Sequence, residues 1–472
     1  MEQTLRTDIP ARAALTPRPL AGEGMVVVAV VLVLPVALYL AGLAPQARLL
    51  YPALNLVVAA WLYERRSPWY AAHCLLIFCF VSLVRRLIDE QAGFDPSNPV
   101  LLTPYLCCLL TAASFFDYWS RRRPRNLGPI LLMFACIAYG AALAILDGRV
   151  FSTLVDVLKW TVGPLMAVYL LAHRDRIVEI RALVEPALIA AATAMALYGI
   201  AQFLNPPSWD AVWMRGVLDL GFDSVGQPEP FAVRVFGTMN SPGAFGNVLL
   251  AAVLLTLKRR PLVCILTVTP MLVAIALCQY RSIWAMTALG VLFVALSPSA
   301  ALRRANIVML VVMSMTLASS ALLPQVNEVV FARASSLSSL EGDESLRMRL
   351  RQYEEFLEHD NLLVGEGLAI NGASRRLDNR ATGLIDGAVI EIYTAMGVFV
   401  GTAFIAAIAI LIGGLFGAGA AGSRHIHFDR AIVLTLFALF PIGTVHIGEL
   451  GFCAWMFMGF GIATRLANEE SA

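Results

Sequence analysis

Residues Met25 to Leu43 read MVVVAVVLVLPVALYLAGL, nineteen positions without a single charge. A helix rising about 1.5 Å per residue needs roughly 20 apolar residues to cross about 30 Å of hydrocarbon. This stretch therefore suits the interior of a bilayer. Arg6, Arg12 and Arg18 precede it. It is longer than the apolar core of a secretory leader and is followed by further runs of the same kind, so it reads as a retained first helix.

The rest of the chain repeats the pattern. Hydrophobic residues make up 59%, charged residues 14%, and the mean hydropathy is +0.73, whereas soluble domains are about half apolar and a quarter charged. Apolar runs at 25–43, 49–63, 68–84, 99–116, 128–146, 153–172, 184–202, 242–257, 262–278, 282–297, 306–323, 387–415, 431–448 and 452–467 predict an all-α polytopic membrane protein with about fourteen transmembrane helices. The expected organisation is a cytoplasmic segment at 1–24, a transmembrane bundle at 25–323, a large periplasmic loop at 324–386 and C-terminal membrane helices at 387–472.

Charge sets the orientation. With the N-terminus inside, the inner segments carry twenty Lys and Arg residues against seven in the short outer ones, as the positive-inside rule requires, and an even number of spans places both termini in the cytoplasm. A formal net charge of +2, with basic residues scattered between spans, argues against a nucleic-acid partner. All eight cysteines fall within the apolar runs, so neither a disulfide framework nor a CxxC metal site is expected.

Two outer segments are longer than a connection needs: 203–241, rich in Pro, Trp and Gly, and the polar stretch 324–386. In the second, Leu346, Leu350, Tyr353 and Leu357 recur at helical spacing, with Asp343 or Ser345 as N-cap, so the loop is expected to be partly helical.

Most of the candidate chemistry lies on this outer side. Arg234-Val235-Phe236-Gly237-Thr238-Met239-Asn240-Ser241 leads into the eighth run, bringing a guanidinium and polar side chains to a helix N-terminus, where anions are favoured. The plainer alternative is that Asn240 and Ser241 cap the helix and Arg234 anchors at the interface. Arg281 follows a short turn at another helix start. Arg347 and Arg351 are one helical turn apart and could clamp a phosphate, although Arg351 also faces Glu355 at i+4. Glu366, between Gly365 and Gly367 on what reads as a flexible turn, and Asp386, just before the twelfth run, are candidate general bases; an ordinary turn role is the alternative for each. Asp156 and Lys159 share one side of the sixth run, where charge at membrane depth suggests either a functional site or an internal ion pair. Arg85, Arg86 and Asp89, and also His446 and Glu449, stand near the outer mouth. No HExxH, GxSxG or Walker-type phosphate loop occurs.

This arrangement resembles the O-antigen ligase and polymerase family of bacterial membrane glycosyltransferases. The resemblance rests on Arg234-Val-Phe-Gly237-Thr-Met-Asn240 ahead of a span, Arg281-Ser282 at a helix top, the Arg-rich helix of the late loop, and Gly365-Glu-Gly367-Leu368 leading toward Glu391-Ile-Tyr-Thr-Ala-Met-Gly397-Val-Phe-Val-Gly401. It covers residues 230–405 best and the remainder by topology.

The resemblance implies a GT-C-like architecture in the bacterial inner membrane, with no metal or other cofactor. The implied donor is an undecaprenyl-pyrophosphate-linked oligosaccharide, and the acceptor a glycan or a lipid. Other polysaccharide assembly proteins are further partners it suggests. In such an enzyme arginines stabilise the charge that develops on the pyrophosphate as an acceptor hydroxyl attacks the anomeric carbon. Carried onto this chain, Arg281, Arg347, Glu366 and Asp386 are the candidate catalytic groups. Arg234, Asn240, Arg351, Lys159, Arg85 and His359 are the candidate substrate-binding ones.

One departure stands out. Where many relatives carry a His-Asn pair at the end of the loop, this chain has Ile385-Asp386-Gly387, and the loop's one histidine is His359. The departure favours a polymerase of O-antigen or exopolysaccharide over a ligase. A transporter or flippase of lipid-linked sugars and a non-catalytic assembly scaffold are the expectations from other classes. A polar cavity open to one side of the membrane would favour the enzyme, and a polar route to both sides the transporter.

Overall fold

The computed structural model describes residues 20–121, 127–221, 224–296, 344–358, 361–380, 385, 387–417 and 423–471. His359, Asp386, Asp343 and the expected span 306–323 lie outside the described residues.

Among the described residues the chain is helical throughout, with one isolated bridge between Gly226 and Val233. In chain order we label the helices α1 (Gly22–Leu40), α2 (Ala47–Glu64), α3 (Trp69–Ala92), α4 (Thr103–Leu109), α5 (Thr111–Arg121), α6 (Leu127–Leu146), α7 (Val150–Ala172) and α8 (Ile177–Leu204). They continue with α9 (Ser208–Asp219), α10 (Pro242–Thr256), α11 (Pro261–Leu277), α12 (Arg281–Ala295), α13 (Glu344–Leu357), α14 (Ala388–Gly414), α15 (Arg424–Phe437) and α16 (Gly448–Ser471).

Among the described residues, eight stretches are helical, long and apolar enough to cross a membrane: Gly22–Leu40, Trp69–Ala92, Pro99–Ser120, Leu127–Leu146, Val150–Ala172, Arg174–Leu204, Ala388–Gly414 and Gly448–Glu470. The chain is thus an all-helical membrane protein. Three further apolar helices, α10, α11 and α12, have 15 to 17 residues, and at about 1.5 Å per residue they fall short of the hydrocarbon thickness. The expected span at 431–448 is interrupted: α15 ends at Phe437, the chain turns through Pro441 and Gly443, and α16 begins at Gly448, whose φ of +57° is left-handed.

Burial orders the helices. In α3 94% of the most apolar window is buried, against 22% in α1, so α3 is central and α1 peripheral. α1 passes through a π-helical turn at Ala29–Val33 just before Pro35, because proline supplies no N–H to the preceding turn and the helix must widen to accommodate it. Elsewhere small residues set the approach of helices, as they do when lipid replaces water as solvent. A Cβ on Gly163 of α7 would lie 2.2 Å from the Trp455 ring of α16, and one on Gly459 would lie 2.8 Å from Ala167.

The 203–241 segment is more ordered than a loop. Its helix α9 carries Trp213 and Met214 into a small satellite core with Val225, Val233 and Phe236. Asp210 on the same helix pairs with Arg86 of α3 at 3.2 Å.

Candidate functional site

Residues 361–380, which follow α13, build one end of the bundle. Residues 361–370 run between α6 and α14. The Glu366 amide donates to the Thr394 carbonyl at 2.7 Å, the Gly367 amide to Ala395 at 2.9 Å, the Leu368 amide to Gly140 at 2.8 Å, and the Val398 amide to Leu362 at 2.8 Å. α14 can accept and donate these bonds because Gly397, at φ +72° and ψ 172°, breaks its helical ladder. Glycine is required at three points. Gly365 and Gly367 both have positive φ, and a Cβ would lie 2.4 Å from Gly397 N and 2.3 Å from Ala144 N respectively; at Gly397 it would lie 2.3 Å from the Leu363 carbonyl oxygen. The Gly365-Glu366-Gly367 stretch is therefore a pinned insert, unlike the flexible turn expected from its sequence. Arg149 holds it from the other side, donating to the carbonyls of Leu368 at 2.7 Å and of Glu366. The Glu366 side chain borders a shallow recess with Phe356 and Thr394.

The insert ends on the charged pair of α7. Lys159 Nζ donates to Asp156 Oδ1 at 3.0 Å. The Ala369 amide donates to Asp156 Oδ2 at 3.0 Å, and Ser374 Oγ donates to Asp156 Oδ1 at 3.3 Å. Asp156 is nearly fully buried, whereas the Lys159 side chain keeps 27% of its exposure, so the ammonium retains open space on one side. The turn Ala373–Asp378 is fastened to the connection between α6 and α7. Arg380 donates to Asp147 Oδ2 and to its carbonyl, both at 2.7 Å, and the Ser152 amide donates to Asp378 at 2.9 Å. The Arg380 hydrogen bond holds the Asp147 carboxyl below the usual carboxylate range, with Arg149 adding to the effect.

Within electrostatic reach of Lys159 lies a second polar group, which pairs His446, noted in the sequence near the outer mouth, with Glu391, a partnership the sequence did not indicate. Glu391 of α14 is 2% exposed and His446, in the turn before α16, is 1% exposed. His446 Nε2 stands 3.8 Å from Glu391 Oε2, and Asn371 Nδ2 donates to Glu391 Oε1 at 3.4 Å. Glu391 Oε2, both ring nitrogens of His446 and Trp160 Nε1 have no hydrogen-bond partner, and the Trp160 and His446 rings meet edge to face with centroids 4.6 Å apart. Buried polar atoms are almost always satisfied, which makes this set a candidate site for proton exchange or for a small polar guest such as water. A lone carboxylate in an apolar run was the available signal. Glu449, at the start of α16, lies within electrostatic reach of Lys159, Arg86 and Arg85.

The expected arginines are distributed as follows. Arg234 donates to the Gln279 carbonyl at 3.4 Å, and Val235 N donates to Leu277 O at 3.1 Å, which brings Arg234 beside the turn that carries Arg281. Ser241 caps α10, accepting from the Ala244 amide at 3.1 Å, and Asn240 Oδ1 is buried without a partner. The Arg-rich helix α13 forms, with Arg347 and Arg351 both exposed. It docks through Tyr353, whose hydroxyl donates to the Pro441 carbonyl at 2.9 Å, and through Phe356, which stacks on Tyr393. Leu350 and Leu357 of the expected apolar face stay exposed. The Tyr280 hydroxyl lies 3.9 Å from where a Cβ on Gly443 would stand. The turn between α15 and α16 is thus the common neighbour of the Arg281 turn and of α13. Arg85 is bound to Asp89 at 3.0 Å and to the Asp95 carbonyl at 2.8 Å, and Arg86 to Asp210 and the Gly237 carbonyl, so both brace the C-terminal end of α3.

The opposite end of the bundle carries a buried network of paired charges. Arg181 forms a two-pronged pair with Asp429 at 2.8 and 2.7 Å, reaches Glu185 at 3.1 Å, and lies over Phe460. Lys258 binds Glu185 at 2.7 Å. These groups are buried and mutually neutralising. Among the described residues no group of three or more His, Cys, Asp or Glu side chains could hold a metal ion. No family model, curated protein or solved structure matches the chain.

Proposed function

We propose that this chain is a membrane glycosyltransferase that polymerises lipid-linked oligosaccharide repeat units, with undecaprenyl pyrophosphate as carrier and leaving group, at the outer face of a bacterial inner membrane. The proposal includes both termini in the cytoplasm, a GT-C-like arrangement of about fourteen membrane segments, and the O-antigen or exopolysaccharide class of product. Short apolar helices such as α10 to α12 would complete that count as tilted or partial spans.

The observation that carries the reading is the asymmetry of the polar interior. At the outer end Lys159, Glu449, Asn240 and the Glu391–His446 set lie among elements that also bring Arg234 and Arg281 together. At the inner end the Arg181–Asp429–Glu185–Lys258 network fills the space with paired charge. A transporter needs polar access to both sides, whereas an enzyme acting on a lipid-linked donor needs it at one.

In this reading guanidinium groups at the outer mouth stabilise the pyrophosphate as it leaves, and a buried carboxylate accepts the proton of the attacking hydroxyl. Glu391 meets the second requirement as well as Glu366 does, because it sits with His446 as an unsatisfied buried pair. The test is to supply purified protein with lipid-linked repeat units and to examine the intermediate that accumulates when the gene is deleted. Single lipid-linked units in the deletion strain, and unaided chain extension in vitro, are the expected results. Full-length lipid-linked chains in the deletion strain would identify a ligase instead.

A further inference from the structure

Outside the polar interior, a cleft of about 440 Å³ opens on the face that the charge bias assigns to the outside. Its volume lies within the range of small-molecule sites, about 300–1,000 Å³. Three separate segments form it: Phe94 and Pro96 after α3, Arg215, Asp219 and Leu220 on or just beyond α9, and Arg376 of the Ala373–Asp378 turn. Arg215 and Arg376 are exposed, and among the described residues neither guanidinium has a hydrogen bond or an ion pair. Asp219, one turn from Arg215, forms no ion pair with it.

Two guanidinium groups from distant parts of the chain, unpaired above an aromatic and aliphatic floor, match one ligand chemistry closely. A sugar ring packs its apolar C–H groups against Leu220 and the edge of Phe94, whose ring rests on Gly216, and a carboxylate on that sugar offers a planar acceptor to the arginine forks. The cleft is formed by segments that also contact the interior site. Ser374, two residues before Arg376, donates to Asp156, and the Arg85 guanidinium lies 5.2 Å from the Phe94 ring centroid. A chain seated here would lead toward Lys159.

The geometry points to a subsite for an acidic glycan, a segment bearing uronic-acid carboxylates, held by Arg215 and Arg376 with Phe94 beneath it. This deepens the polymerase reading and rests on it for the meaning of the ligand, since it names the class of chain the enzyme would handle. The binding itself is measurable without turnover.

The test uses the full chain in nanodiscs and a tetramer of galacturonic acid, with its methyl ester as a neutral control of the same length. Isothermal titration should show saturable binding of the acid, and the Arg215→Gln/Arg376→Gln double variant should weaken it by about tenfold or more, as loss of charge-assisted hydrogen bonds implies. The ester should bind weakly and equally to both proteins. Phe94→Ala should weaken acid and ester alike. Equal affinity for acid and ester, or an unchanged affinity in the double variant, overturns the subsite. So does loss of retained phosphatidylglycerol from the double variant without loss of oligouronide binding, which would make the cleft a lipid-headgroup contact. Oligouronide binding by a protein that extends no lipid-linked substrate would sink the polymerase reading and leave the subsite standing. Chain extension without oligouronide binding would do the reverse.

Discussion

The amide of Glu366 donates to the carbonyl of Thr394 at 2.7 Å, across the point where α14 loses its helical ladder at Gly397. A loop far along the outer surface is thereby built into the wall of the bundle. Adding a side chain at Gly397 would drive a Cβ to 2.3 Å from the Leu363 carbonyl, at a φ that L-residues avoid. Gly397→Val should therefore release residues 361–370 while leaving the flanking helices inserted. Limited proteolysis from the outer side should show new cleavage near Leu362 to Gly367. A variant as resistant as the parent would mean that the insert is held by other contacts.

The helices were legible because apolar runs in a membrane protein have simple length rules. The run expected at 128–146 is the helix Leu127–Leu146, and that at 153–172 lies within Val150–Ala172. The run at 431–448 misled because hydropathy continues across Pro441 and Gly443 while the backbone turns. Site residues were legible when their partners lay within one helical turn, as with Asp156 and Lys159. The partners supplied by Ala369 and Ser374 come from a segment more than two hundred positions away, and no periodicity reports a pairing of that range. His446 was noted near the outer mouth, but its pairing with Glu391 escaped for the same reason, although a lone carboxylate at that depth marks a site by itself.

The inner network makes a prediction about stability. Arg181 and Asp429 are both nearly inaccessible to water, so removing one leaves the other buried and uncompensated. Asp429→Ala should cost about 3 kcal/mol, near the low end for such a break because Glu185 still holds the guanidinium. The double variant Arg181→Met/Asp429→Leu should lose less than Asp429→Ala alone. Thermal unfolding in detergent reads both, and a double variant less stable than the single one would show that the pair is not the source of the loss.

Acid should loosen the Ala373–Asp378 turn. Asp147, bound by Arg380, has its pKa lowered in the folded protein. The stabilisation is fully present above the unfolded carboxylate value of about 3.9 and is lost as the pH falls through the lower folded value. Protease access to residues 371–380, followed from pH 7 down to pH 3, should rise at the acidic end. Asp147→Asn should show the raised access already at pH 7 and a flatter profile below it. Identical profiles for the two proteins would remove Asp147 as the group responsible.

The arginines at the outer mouth separate charge from geometry. Arg281 starts α12 beside the turn that accepts a hydrogen bond from Arg234, and Arg347 is exposed on a helix tethered by Tyr353 to Pro441. Neither side chain is buried, so Arg281→Ala and Arg347→Ala should insert normally and yet make no polymer. Lysine replaces the charge but not the planar fork. If the guanidinium grips a pyrophosphate through two oxygens, Arg281→Lys should retain donor binding while turnover falls about a hundredfold or more, in line with the loss of one preorganised donor at a developing anion. Polymer length on gels, together with binding of a lipid pyrophosphate to the purified variants, distinguishes the cases. Full-length polymer from either alanine variant would remove that arginine from the reaction, and equal turnover from Arg281→Lys would reduce its part to charge alone.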